Sequence, residues 1–171
     1  DGYPVRQMQN EMSEVRAKAE GIRNDMTTPD TRMSDDPMVF NPGWVGTLVQ
    51  TMLGGLPTTN AAYPMHSRIR YFNPEHRRAG IPEDVCSLVH GLSADEIKLT
   101  LVNTNQVQSR VVIVQGGAYG EHQIEDAEVS GHKNQIDDKH LAIELAPGCG
   151  ANLVIKTQRY TNSPTLEFPW V

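Results

Sequence analysis

Residues capable of acid–base chemistry lie together in one short segment that is rich in glycine, Gly116 to His122. Tyr119, Glu121 and His122 stand there beside three glycines. A histidine next to a carboxylate can carry a proton or bind a metal ion. The glycines allow positive φ angles and let the backbone approach another group closely. We therefore name Tyr119, Glu121 and His122 as the candidate catalytic residues, with His122 as the proton carrier or metal ligand.

The same segment also has a structural interpretation, and the sequence favours it. A glycine bulge would redirect a strand at this point, and Glu121 and His122 would then form hydrogen bonds to backbone groups of the loop. No second metal-ligand motif lies at a supporting spacing along the chain. We expect a structural bend.

A candidate cation site follows further along the chain, where His132 and Asp137 fall in a polar stretch with Asn134 and Asp138. Together with His122 they are the candidate metal ligands. The stretch lacks the Asp-x-Asp-x-Asp-Gly order of a calcium loop, and the chain contains no His-Glu-x-x-His or Cys-x-x-Cys spacing. A solvated hairpin tip is the favoured interpretation, and the sequence names no cofactor.

The segments around these candidates have the patterns of β-strands. Ile97 to Val102 alternates apolar and mostly polar side chains, so one face is expected to be buried. The β-branched run Val111 to Val114 predicts a central strand covered on both faces. Leu141 to Leu145 and Leu153 to Thr157 alternate on either side of the turn Pro147 to Gly150, which predicts a hairpin.

The first half of the chain has mainly helical patterns. Apolar residues recur at alternating steps of three and four, which predicts a helix with one narrow apolar stripe. The stripe consists of Val5, Met8, Met12, Val15, Ala19, Ile22 and Met26. A second helix is predicted from its N-cap Asn41 and Pro42 to Leu53. A strand is predicted at His66 to Phe72, and a short helix from Pro82 to Gly91.

These patterns predict an α+β fold: an N-terminal helical segment followed by a C-terminal antiparallel β-sandwich. The helical segment, with its short strand, is expected at residues 1–92 and would dock on another domain or chain. The sandwich is expected at residues 93–171. The aromatic tail from Tyr160 to Trp170 is predicted to pack on the domain. Cys86 and Cys149 are predicted to be free thiols, because disulfide-dependent domains normally contain more cysteines.

Charge and hydropathy exclude several classes of partner. The net charge is −6, from 15 basic and 21 acidic residues, and no basic run is present that would bind a phosphate backbone. Nucleic acid is therefore not an expected partner. No stretch reaches the roughly 20 apolar residues of a membrane span, and no signal-peptide pattern occurs. The chain begins at Asp1, so we expect either a removed leader or a piece of a longer polypeptide. Secreted, periplasmic and cytoplasmic locations all stay open.

Two sets of segments carry a resemblance to known proteins. Leu99–Asn105, Arg110–Val114, Leu141–Leu145 with Pro147–Gly148, and Leu153–Ile155 follow one another in that order. This order resembles the C-terminal β-sandwich of many multidomain glycoside hydrolases and polysaccharide lyases. The segments Tyr71–Pro74, Arg77–Pro82 and Gly117–His122 resemble the C-terminal ends of large, mostly uncharacterised bacterial multidomain proteins.

The resemblance implies a function and a partner. In such enzymes the catalytic part, often an α/α toroid or a barrel, lies upstream. The chain would then be an accessory part or subunit of a larger bacterial hydrolase or lyase acting on glycans, with a structural or cleft-supporting role. Its partner would be the rest of that polypeptide, another subunit or a second copy of itself. The alternatives are an independent binding or assembly module and a metal-assisted enzyme that uses Glu121 and His122.

Overall fold

The structure is a computed structural model that describes residues 2–28, 46–55 and 64–170. The chain divides into two compact units, 1–49 and 50–171. Within the described residues there are two helices and nine strands. The helices are α1, Tyr3–Asn24, and α2, Gly46–Leu53. The strands are β1 Ile69–Asn73, β2 Arg78–Ala79, β3 Val85–Leu92, β4 Glu96–Asn103, β5 Arg110–Gly116, β6 Gln123–Val129, β7 His132–Asp138, β8 His140–Leu145 and β9 Gly150–Gln158.

The strands form two antiparallel sheets, which confirms the predicted α+β class with a β-sandwich. One sheet has four strands in the order β2-β1-β5-β8, and the other has five in the order β3-β4-β9-β6-β7. Strand β5 contains the run Val111 to Val114 and lies between two neighbours, as predicted. The prediction that both of its faces are covered is wrong at Val111, which is 39% exposed. The strand predicted at His66 to Phe72 is β1.

One hydrophobic core takes side chains from both sheets. Val112 and Val114 of β5 are fully buried, and so are Leu99 of β4 and Ile155 of β9. Alternation along β3, β4, β8 and β9 brings about every second side chain toward this core. Burying one such side chain contributes about 1.5–3 kcal/mol, so the repeated alternation is the main source of stability for the sandwich.

The predicted hairpin across Pro147 to Gly150 is wrong. β8 pairs with β5 in the four-stranded sheet, whereas β9 pairs with β4 and β6 in the five-stranded sheet. The turn therefore takes the chain from one sheet to the other. Both strands alternate because each has one face on the shared core, and that pattern does not reveal whether consecutive strands pair or lie in opposite sheets.

The predicted helix from Pro82 to Gly91 is also wrong, because most of that segment forms β3. Val85 and Val89 are buried and β3 pairs with β4 in register from Val85 opposite Asn103. Three strands of the sandwich, β1 to β3, thus precede residue 93, where the sequence analysis placed the start of the sandwich. Cys86 lies on β3, and both it and Cys149 are free and exposed.

The helix predicted from Val5 to Met26 is present as α1, with Met26 just beyond its end. The buried Glu11 accepts hydrogen bonds from the backbone N–H groups of Thr47 and Leu48, at 2.7 and 2.9 Å. A carboxylate at a helix N-terminus satisfies free amides there, so Glu11 caps α2. The predicted N-cap Asn41 lies outside the described residues.

The apolar stripe of α1 leads to a prediction about self-association. Val5 and Ile22 are exposed, and so is Met12. Exposed contiguous apolar surface favours association. We expect the 171-residue chain to self-associate in light scattering, and the double change Val5→Gln and Ile22→Gln to shift it toward monomer. Val107→Gln is the control, because Val107 is 83% exposed on the other unit. A monodisperse, stable wild-type monomer would contradict this expectation.

The turn between β8 and β9 allows a test of its backbone geometry. Gly148 has a φ of +64°, a region that β-branched residues enter only with strain. Gly148→Val should lower the free energy of unfolding by about 1–3 kcal/mol in urea titrations. Gly148→Asn should cost less, because asparagine tolerates the left-handed region. Equal melting of both variants and wild type would show that the turn does not require this conformation.

Candidate functional site

The candidate segment Gly116 to His122 is the connection by which the chain leaves β5 in one sheet and enters β6 in the other. Gly117 and Gly120 have φ angles of +83° and +73°. A Cβ atom on Gly116 would lie 2.4 Å from the backbone oxygen of His122. Only glycine fits so close an approach, so the three glycines permit a tight bend between the sheets.

Glu121 holds the inside of this bend. Its carboxylate accepts hydrogen bonds from the backbone N–H groups of Ala118 and Tyr119, at 3.3 and 2.7 Å. A Cβ atom on Gly117 would lie 2.4 Å from the same carboxylate. Charge-assisted bonds to backbone amides are strong, and each oxygen of Glu121 has one. The carboxylate is therefore engaged in the fold.

His122 anchors the chain that leaves β9. Its side chain is buried, and Nδ1 accepts a hydrogen bond from the backbone N–H of Tyr160 at 3.2 Å. An accepting Nδ1 carries no proton, so the neutral ring holds its proton on Nε2. Nε2 lies 4.0 Å from a carboxylate oxygen of Glu121. The Tyr160 ring packs edge-on against the imidazole, with 4.8 Å between ring centroids.

Burial is the main influence on the titration of His122. It lowers the pKa of the imidazole below the ordinary 6.5, although the nearby Glu121 carboxylate acts in the opposite direction. The positive charges of Arg68 and Arg159 lower the pKa further. Burial thus favours the neutral imidazole of His122, which is the form that can accept the Tyr160 hydrogen bond.

Tyr119 completes the set of candidate residues. Its hydroxyl accepts a hydrogen bond from the backbone N–H of Met65 at 3.0 Å, and its backbone oxygen accepts one from the N–H of Thr165 at 2.8 Å. The structure therefore brings Tyr119, Glu121 and His122 together, and the side chain of each binds a backbone N–H group, in the bend itself for Glu121 and in other segments for Tyr119 and His122. These contacts are the ones expected from the structural interpretation of the bend.

The C-terminal segment, residues 159–170, lies along this bend and continues over the four-stranded sheet. The N–H of Asn162 donates to the backbone oxygen of Glu121 at 3.3 Å. Phe168 and Trp170 pack edge-on against Phe72 of β1, with centroid distances of 5.9 and 5.8 Å. The prediction that the aromatic tail packs on the domain is confirmed.

A second histidine, the partly buried His140, lies on the same face of this sheet. The Nε2 atom of His140 is 3.0 Å from the side-chain oxygen of the buried Gln115. The Gln115 amide nitrogen donates to the backbone oxygens of Gly117 and Ala118. Burial lowers the pKa of His140 as well. The sequence analysis missed this pair, because an isolated glutamine inside a strand pattern gives no signal of a buried network.

The candidate metal ligands do not come together. His132 begins β7 and Asp137 lies near its other end; five residues of strand span about 16 Å at the usual rise. Asp137 accepts a hydrogen bond from the side chain of Gln135 at 2.9 Å, while His122 is buried in the bend. Within residues 2–28, 46–55 and 64–170, no three His, Cys, Asp or Glu side chains form a metal-ligand group.

An open groove with polar walls lies beside the bend, and we call it the polar groove. Its lining residues are Gln123, Asp137, Asp138, Lys139, Thr161, Asn162 and Ser163. One wall comes from the C-terminal segment and the other from the turn between β7 and β8. Of these residues the sequence analysis singled out only Asp137 and Asp138, because the groove joins segments that are distant in sequence.

Comparison with protein-family models, curated proteins and solved structures finds no match to this chain. Among the described residues, no helix is long and apolar enough to cross a membrane. The site must therefore be interpreted from its own geometry, which combines a bend fixed by Glu121 and His122 with an open groove next to it.

The buried His122 and the partly buried His140 predict how stability depends on pH. Each has a native pKa below its unfolded value near 6.5, so the unfolded chain binds more protons between those two values. The free energy of unfolding should then fall as pH is lowered below 6.5, by at most about 1.4 kcal/mol per pH unit for each histidine. Above 7.5 their contribution should be constant.

Urea titrations from pH 8 to pH 5 measure this dependence. His122→Gln should remove part of the slope, since it removes one titrating ring. His90→Gln is the matched control, since it makes the same change at an exposed histidine on β3. An unchanged slope in His122→Gln would show that the protonation of His122 is not coupled to folding.

Proposed function

We propose that this chain is an accessory β-sandwich part, or a subunit, of a larger enzyme that acts on glycans. Its role would be to support the fold of that enzyme or its substrate cleft. The main support for a non-catalytic role is that both carboxylate oxygens of Glu121 accept hydrogen bonds from backbone amides. A general acid or base must reach the proton that it transfers.

The burial and the hydrogen bond of His122 also support a non-catalytic role. Its side chain is only 1% exposed, and its Nδ1 atom binds the Tyr160 amide. A substrate could reach the ring only if the C-terminal segment moved away. The glycan part of the proposal rests on the resemblance of the strand segments and on the hydrogen-bonding groups of the polar groove.

An independent assembly module is the second candidate, and the helix α1 favours it. Its stripe leaves Met12 45% exposed and Val5 61% exposed, which is apolar surface that a partner would cover. A metal-assisted enzyme built on Glu121 and His122 has less support, because these two groups lie 4.0 Å apart and bind backbone amides instead of facing an open site.

Turnover of the parent enzyme tests the accessory role. Glu121→Gln and His122→Ala should each leave turnover of the folded enzyme within about tenfold of wild type, which corresponds to about 1.4 kcal/mol of transition-state stabilisation. Gly120→Val should instead disturb folding, since Gly120 has a φ of +73°. A melting curve for each variant separates the two effects.

A different result would place the chain in the active site. Loss of a general acid or base typically lowers the rate by about 100-fold or more. Such a loss in a fully folded His122→Ala enzyme would contradict the accessory role. The control is His90→Ala, which changes an exposed histidine on β3 and should leave both turnover and melting unchanged.

A further inference from the structure

We infer that the polar groove is a binding subsite for a neutral glycan segment. This inference rests on the proposed function, since it names the surface through which the module would contact the substrate. Sugar hydroxyls both donate and accept hydrogen bonds, so a sugar subsite needs convergent donors and acceptors in fixed positions. The groove has carboxylates, amides, hydroxyls and one ammonium group among its lining residues.

Four of the groove side chains are held through one polar atom and have a second polar atom that could bind a ligand; they are Gln123, Asn162, Asp137 and Asp138. Asn162 donates through Nδ2 to the backbone oxygen of Gly120 and to the side-chain oxygen of Gln123, at 3.2 and 3.1 Å. These bonds fix both amides. Within the described part of the chain, neither Oδ1 of Asn162 nor Nε2 of Gln123 has a hydrogen-bond partner. An acceptor and a donor are thus available side by side.

The opposite wall is arranged in the same way. One carboxylate oxygen of Asp137 accepts from the side chain of Gln135 at 2.9 Å, and one of Asp138 accepts from the N–H of His140 at 3.0 Å. The second oxygen of each has no partner among the described residues. Fixing polar groups before a ligand arrives reduces the entropy that binding would otherwise cost.

The backbone has an uncommon conformation in or next to both walls of the groove. Asp137 and Tyr160 have φ angles of +50° and +58°, an uncommon region for residues other than glycine. Tyr160 precedes Thr161 of the groove wall, and its position is set by the hydrogen bond of its N–H to His122. His122 is therefore a positioning residue for this wall, and it does not itself line the groove.

The charges favour a neutral ligand over an anionic one. The walls contain two carboxylates, Asp137 and Asp138, against the single ammonium of Lys139. An anionic sugar such as a uronate would be repelled by the excess negative charge, and the net charge of −6 adds to the repulsion. Neutral hydroxyls can accept from Lys139 and donate to the carboxylates.

Direct binding to the 171-residue chain tests the inference. The probes are neutral hexasaccharides of β-1,4-linked glucose, xylose and mannose, with hexagalacturonate as the anionic comparison. We expect at least one neutral probe to shift the NMR signals of the Asn162 and Gln123 side-chain amides. Asp137→Asn combined with Lys139→Gln should raise the dissociation constant of that probe about tenfold, which corresponds to about 1.4 kcal/mol of binding free energy.

A matched control makes the same chemical changes elsewhere. Glu144→Gln combined with Lys156→Gln alters two exposed residues outside the groove and should leave the dissociation constant unchanged. His122→Phe removes the acceptor for the Tyr160 N–H group. This change should lower the affinity for the probe and increase the rate of amide hydrogen exchange at Thr161 and Asn162.

Three outcomes would overturn the inference: no shift with any neutral probe at about 10 mM, shifts confined to residues outside the groove, or tighter binding of hexagalacturonate. Binding outside the groove would leave the proposed function standing. That function is tested separately, by the turnover of the parent enzyme.

Discussion

The backbone N–H groups of Ala118 and Tyr119 lie in the bend between β5 and β6, where they are not part of a strand pairing. Leaving such amides buried without a hydrogen-bond partner would cost free energy of folding. Glu121 meets this requirement with both carboxylate oxygens. Its contacts set the shape of the connection between β5 and β6, and with it the position of His122. The C-terminal segment binds His122 and the backbone oxygen of Glu121. The β5–β6 bend and the position of the C-terminal segment therefore both depend on the contacts of Glu121.

The class of fold could be predicted because apolar residues alternate with polar ones along the sequence, and this period of two matches the alternation of buried and exposed side chains in a strand. Ile97, Leu99 and Leu101 alternate in the sequence and are all fully buried in the structure. The same rule could not assign strands to sheets. The alternating segments on either side of Pro147 would have the same pattern whether they paired directly or crossed the core, and only long-range pairing with β4 and β5 decides.

The segment from Val85 to Leu92 shows a second limit. Val85, Leu88 and Val89 have a spacing that fits one face of a helix, and Pro82 is a suitable first residue. In the structure Val85 and Val89 face the core from a strand, with a register irregularity before Gly91. Tertiary pairing with β4 overrides the local preference. For the site, the Gly116 to His122 cluster could be predicted, because it is contiguous. The facing wall at Asn162 could not be, since nothing in the sequence places it beside Gln123.

The order of strands in the larger sheet has a consequence for synthesis of the chain. β9 lies between β4 and β6, yet it is the last strand to leave the ribosome. Until Gln158 has emerged, β4 and β6 lack the strand that lies between them in this sheet. Pairing of Glu96 with Lys156 closes a long loop, and such non-local contacts slow folding. A nascent chain therefore lacks the central strand of this sheet until Gln158 has been made.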